Sequence, residues 1–98
     1  MKTKKYFNVS LCRNGILGGG MVVDEQKATY KTGKLTVSDK FRNLEMRYED
    51  IAGVSTGRLL YLPTVTIKMK DAEAYRFVVF DRKKFLAVLK DRGVLSNG

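Results

Sequence analysis

The 98-residue chain has no histidine, no tryptophan, one cysteine (Cys12) and one proline (Pro63). Without histidine, the Ser-His-Asp and Cys-His nucleophile arrangements and the common zinc ligand sets are excluded. A lone cysteine cannot form an intramolecular disulfide, so nothing here asks for an oxidising compartment. No apolar run approaches the ~18 residues needed to span a bilayer. Paired carboxylates are also missing in any useful form. Asp24-Glu25 and Glu49-Asp50 are adjacent, so on strands they point to opposite faces, whereas acid–base work needs two groups converging on one substrate. Gly33-Lys34 sits in no phosphate-binding loop, because Ala28 stands at the first glycine position and Leu35 at the Ser/Thr position. Gly18-Gly19-Gly20 lacks the GxGxxG spacing, and no helix follows it. We therefore expect no enzyme, no catalytic residue, no metal or cofactor site and no small-molecule substrate.

What the chain does have is positive charge. Nineteen Lys plus Arg against ten Asp plus Glu leave +9, an excess that favours anionic partners. It is spread evenly: residues 1–49 carry ten basic and five acidic side chains, residues 50–98 nine and five. A nucleic-acid arm would be a block of like charge, so a solvated basic surface fits better. Lys2, Lys4 and Lys5 imitate the start of a signal peptide, but residues 6–13 are too short and too polar for its apolar core. The chain is expected to be cytoplasmic, with peripheral membrane association as the alternative.

Periodicity is the second positive signal. Thr64-Val-Thr-Ile-Lys-Met-Lys70 puts Val65, Ile67 and Met69 on one face and Thr64, Thr66, Lys68 and Lys70 on the other, as in a half-buried antiparallel strand. Asp71-Ala-Glu73 reads as a turn into Ala74–Phe80. The period then changes to that of a helix carrying Phe85, Leu86, Val88 and Leu89 on one side, which Asp81 can N-cap and Gly93 can terminate. Val94 and Leu95 are placed to fold back onto the core. Upstream, Phe7, Val9 and Leu11 alternate with Asn8 and Ser10, and Arg13-Asn-Gly15 is a turn. Ile16–Val23 is apolar but interrupted by three glycines, which implies a bulge, a bend or a close backbone approach. Lys27–Thr32, Leu35–Val37, Leu44–Glu49 and Ile51–Val54 complete the strands, the last ending by Gly57. The loop 39–43 is polar apart from Phe41. Cys12 reads as a buried, inert residue at a strand end. The sum is a mostly β chain of about seven antiparallel strands around one core, with one C-terminal helix covering an open end. A single domain over residues 1–95 and a short tail, 96–98, account for the whole length.

Several segments resemble PH-like domains, the GRAM and bacterial PH-like branch in particular. They are Tyr30-Lys-Thr-Gly-Lys-Leu-Thr36, Tyr48-Glu-Asp-Ile-Ala-Gly-Val54, Pro63-Thr-Val-Thr-Ile67 and Tyr75-Arg-Phe-Val-Val-Phe-Asp-Arg-Lys-Lys-Phe-Leu86. The resemblance covers roughly residues 15–93 and is one of apolar pattern and turns. It implies a split barrel of seven strands capped by the helix, and a binding module for membranes, phosphoinositides or proteins. Two departures stand out. Such domains usually carry a tryptophan in the capping helix, a role left here to Phe85. The basic motif of phosphoinositide binders has as its nearest equivalents only Lys27, Lys31 and Lys34, without arginine.

Two surfaces are candidates for contact. Lys27, Lys31 and Lys34, with Arg82, Lys83 and Lys84 in the first helical turn, are candidates for an anionic lipid headgroup. Leu59, Leu60, Tyr61 and Leu62, between Gly57 and Pro63, are unusually apolar for a connection and are candidates for contact with a partner or a second copy. The leading expectation is protein interaction or homo-oligomeric assembly. Binding to anionic lipid is the alternative, and non-specific nucleic-acid binding, suggested only by the net charge, comes third.

Overall fold

The structure is a computed structural model and describes residues 4–12, 15–33 and 42–94. The expected strand at Leu35–Val37, Phe41, Leu95 and the 96–98 tail lie outside the described residues. Among these residues seven strands follow in order: β1 (Lys5–Cys12), β2 (Ile16–Val23), β3 (Lys27–Lys31), β4 (Asn43–Arg47), β5 (Ile51–Leu59), β6 (Leu62–Met69) and β7 (Ala74–Val79). A three-residue 3-10 turn, Tyr48–Asp50, links β4 to β5, and helix α1 (Arg82–Asp91) follows β7. All ladders are antiparallel, in the spatial order β4-β3-β2-β1-β7-β6-β5. The sheet curls into a half-barrel with the apolar side chains inside and the helix against it, the fold class the periodicity implies.

Alternation is what fills the interior. Phe7, Val9 and Leu11 from β1, Leu44 and Met46 from β4, and Val65 and Ile67 from β6 are all buried. From the helix, Phe85 and Leu89 enter the same core. The Phe85 ring stands edge-on to Phe7 at 5.2 Å between centroids and 81° between planes, the arrangement that aromatic quadrupoles favour. The helix ends in a Schellman motif. Gly93, at φ +87°, gives its N–H to Lys90 O, and the Val94 N–H reaches back to Leu89 O at 2.9 Å. That return buries Val94.

Four local expectations need correction. Asp81 holds the N-cap position but its side chain makes no capping hydrogen bond. Its backbone lies at φ −101°, ψ 49° rather than extended, and its carboxylate sits 3.9 Å from Lys84 Nζ. Thr64, expected on the wet face, is 1% exposed, as is its cross-strand neighbour Val78. Arg76 Nη2 donates to Arg58 O and Arg82 Nη1 to Gly57 O, both at 2.8 Å. To reach β5 from β7 and the helix, both side chains must pass over β6, and their aliphatic stems shield Thr64 and Val78. Cys12 is half-buried rather than buried, and β5 runs beyond Gly57 to Leu59.

Two turns are tied to the barrel by polar contacts. Asp24 Oδ1 accepts from the Gln26 and Lys27 amides at 2.7 and 2.9 Å. Burial pulls the Asp24 carboxyl up, but those amides and the Lys27 charge outweigh it and hold the group below its usual value. Asp24 O accepts from the Tyr48 hydroxyl and, at 3.1 Å, from Arg92 Nε, so the β2–β3 turn, the 3-10 turn and the helix end meet at one carbonyl. Burial pushes the Tyr48 hydroxyl up to about 12, the Asp24 charge adding to the rise and Arg92 opposing it.

Two outcomes follow for stability. A Cβ at Gly19 would lie 2.3 Å from Lys31 O and 2.9 Å from the Tyr30 ring, whereas at Gly18 it would meet nothing within 4 Å. Gly19→Ala should therefore cost about 1–3 kcal/mol, with Gly18→Ala neutral or mildly stabilising; urea midpoints of the two variants check this. Tyrosine in the unfolded chain ionises near pH 10, while folded Tyr48 keeps its proton until about 12. The folded state binds more protons across that window, so its stability falls as pH rises through it. Tyr48→Phe should flatten that fall, read as urea midpoints from about pH 9 to about pH 12.

Candidate functional site

The β5–β6 hairpin carries the most unusual surface. Its register runs from Ile51↔Met69 at one end to Leu59↔Leu62 at the other, leaving Leu60 and Tyr61 as a two-residue loop. Leu60 is 86% and Tyr61 98% exposed, whereas Leu59 and Leu62 form a half-buried cross-strand pair beneath them. The strands thus extend into the apolar segment, and only its centre projects. Leu60 has φ +57°, the sign that primed hairpin turns demand and that Asn, Asp or Gly normally provides. Pro63 is tolerated because β7 pairs with β6 only from Thr64 onward.

Three arginines stand at the base of this tip. Arg58 is exposed just before it, and Arg76 and Arg82 are strapped to the adjacent carbonyls of Arg58 and Gly57. Lys83 is exposed in the first helical turn. The other lysine candidates lie elsewhere. Lys27 Nζ pairs with Glu45 Oε1 at 3.0 Å on β3, and Lys31 is exposed at the end of that strand. Lys34 lies outside the described residues. Lys27 and Lys31 stand on β3, which β2 and β1 separate from β7, whereas Arg82, Lys83 and Lys84 stand in the first turn of the helix that follows β7. Sequence reasoning missed Arg58 and Arg76 as neighbours of the apolar tip. Their spacing along β5 and β7 shows no motif, and only the register across β6 brings them together.

At the far end of the same ribbon lies a groove of about 610 Å³. Among the described residues, Leu44, Met69 and Tyr75 line it with apolar atoms, and Glu45, Asp50, Asp71 and Lys70 with polar ones. The Lys70 N–H donates to Asp50 O at 2.8 Å, fixing the β6–β7 turn against the 3-10 turn. A second groove, of about 420 Å³, runs between β1 and the helix, lined by Tyr6, Phe7 and Val88 with Lys5, Asp81 and Lys84. Among the described residues, no group of three or more His, Cys, Asp or Glu is arranged to hold a metal ion. No helix among them is long and apolar enough to cross a membrane.

No family model matches this chain, and no curated protein does. Among solved structures, the crystal structure of the C-terminal domain of an unknown protein from Leishmania infantum is similar, with a TM-score of 0.76 at 9% identity. The match covers 93% of this chain and 84% of that one. At such identity the likeness is one of fold.

The turn geometry generates a prediction of its own. A leucine in the left-handed region is disfavoured by roughly 1–2 kcal/mol, and Leu60 buries little in return. Leu60→Gly should leave the thermal midpoint unchanged or raise it by a few degrees. A clear fall would mean that Leu60 packs against the domain.

Proposed function

We infer that this protein is a small, non-catalytic binding module of the PH-like, GRAM type that engages a protein partner, another copy of itself included, through the β5–β6 hairpin tip. The strand count, the antiparallel arrangement and the terminal helix are what the resemblance implied. The observation that carries the reading is the exposure of Leu60 and Tyr61 on a strained two-residue turn. Folding gains nothing from two large apolar side chains in water, and local strain at an exposed site is a recognised mark of function. Tyrosine at such a tip offers a large contact area at low cost in side-chain entropy, as interface anchors do.

A second reading, binding to an anionic lipid surface, is favoured by the arginines around the tip, since an apolar wedge with cations behind it suits a charged bilayer interface. The straps over β6 already use part of two of those guanidinium groups, which weighs toward a protein contact. Nucleic acid is left with net charge alone in its support.

The Leu60→Gly/Tyr61→Ser variant tests the module. It is expected to stay folded while losing both self-association in sedimentation and every protein that wild type retains on a resin. Identical behaviour of the two forms in both measurements would overturn the reading. Salt-sensitive pelleting with anionic but not neutral vesicles, abolished in the variant, would move the assignment to the lipid surface.

A further inference from the structure

We propose that the partner of the hairpin tip is the groove at the opposite end of a second copy, so that the protein associates head to tail. The inference rests on the binding-module reading above and names its partner.

The two surfaces are complementary. The tip presents Leu60 and Tyr61 with Arg58, Arg76 and Arg82 around them. Among the described residues the groove is lined by half-buried Met69 and by Leu44 and Tyr75, each 5% exposed, and is edged by Asp50, Asp71 and Glu45, the last paired with Lys27, beside Lys70. On a chain of net charge +9, an acid-rich rim around apolar surface is the local exception. It faces away from the tip along the same ribbon. The groove volume of about 610 Å³ lies within the ~300–1,000 Å³ range of pockets that enclose a compact apolar ligand. A leucine and a tyrosine side chain fit such a space.

Other modes of self-association are blunted. β5 is an edge strand, the usual site of strand-to-strand pairing. Its Gly57 and Arg58 carbonyls are taken by Arg82 and Arg76, and its opposite end carries a bulge between Ile51 and Gly53. Both features discourage a second strand from laying alongside. The tip is left projecting clear of the edge.

The placement dictates the symmetry. Eight residue steps separate Ile51 from Leu59, about 26 Å of extended chain, so tip and groove are distinct surfaces at opposite ends. A contact between unlike surfaces leaves each copy with one free tip and one free groove. It therefore grows into open chains or rings instead of stopping at a two-fold dimer. One hairpin tip falls short of the ~1,200 Å² of buried surface usual for stable complexes. The association should accordingly be weak, dependent on concentration and reduced by salt.

Sedimentation of wild type, Leu60→Gly/Tyr61→Ser and Asp50→Lys, at about 50 mM and about 500 mM salt, decides it. The Asp50 side chain is exposed, and only its carbonyl oxygen serves the neighbouring turn. Asp50→Asn, which removes the charge and keeps the shape, serves as a second groove variant should the first lose its thermal transition. Wild type should grow beyond dimer with concentration at low salt and lose most of that growth at high salt. Each variant alone should remain a monomer. An equimolar mixture of tip and groove variants should form one-to-one dimers and nothing larger, because it joins one intact tip to one intact groove. A monomeric wild type, a plateau at dimer, or a groove variant that assembles like wild type would each overturn the proposal. If wild type is monomeric while the tip variant still loses a retained protein, the binding-module reading survives and the second copy is not the partner.

Discussion

The length of one connection governs this fold. β4 and β5 are the two edges of a seven-stranded sheet, yet only Tyr48–Asp50 lie between them. Laid flat, the sheet would separate its edges by six strand spacings, about 29 Å. The four residue steps from Arg47 to Ile51 can bridge at most about 14 Å. The sheet must therefore curl until its edges approach, and its inner face becomes a core with an open end for the helix to cover. β1 and β7 pair over only Val9, Ser10 and Leu11, so the two meanders share a narrow seam. Gly19 belongs to the same requirement, since the backbone of β3 crosses β2 there too closely for a Cβ.

Closing the barrel leaves polar groups to satisfy at the point of closure. The Tyr48 N–H goes to Gln26 O at 3.1 Å and its hydroxyl to the Asp24 and Lys27 carbonyls. Arg92, just past the helix, joins them at Asp24 O. Short link, helix end and β2–β3 turn thus share one cluster of hydrogen bonds, and the half-buried tyrosine is held neutral by the burial that closure imposes. Such groups lose water on folding and would each cost about 1–3 kcal/mol if left unpaired.

Much of this was legible in the chain. Alternation at Phe7–Leu11, Leu44–Met46 and Val65–Met69 specifies strands and their inner faces, because a one-residue slip would expose every apolar side chain. Gly93 marks the helix end because only glycine accepts that conformation cheaply. Where the pattern misleads, long-range contacts override local preference. Thr64 and Val78 are buried on the outer face because arginines distant in sequence lie across them, and Asp81 fails to cap because the turn out of β7 sets its backbone. The apolar segment at Leu59–Leu62 was visible as composition. Its division into a packed pair and a projecting pair depends on a hairpin register that fixes which residues fall in the loop. The groove was not legible, since Leu44, Asp50 and Tyr75 come from three elements joined only by the curl.

That division bears on what the hairpin is for. A turn selected for folding alone would carry Asn-Gly, gain its left-handed residue without strain and expose no apolar surface. Ala72 shows the contrast within the same domain. It too has a positive φ, +78°, in the β6–β7 turn, but it is small and Asp71 Oδ1 anchors the turn by accepting the Glu73 N–H. Among the described residues no side-chain hydrogen bond anchors Leu60 or Tyr61 in this way, and Pro63 stiffens the strand that leaves the tip. A rigid, apolar, charge-flanked tip has its conformation fixed before any partner arrives, so little ordering entropy opposes binding. The same conformation suits only a surface already shaped to receive it, the role proposed for the groove at the other end of the ribbon, where the Lys70 N–H donates to Asp50 O.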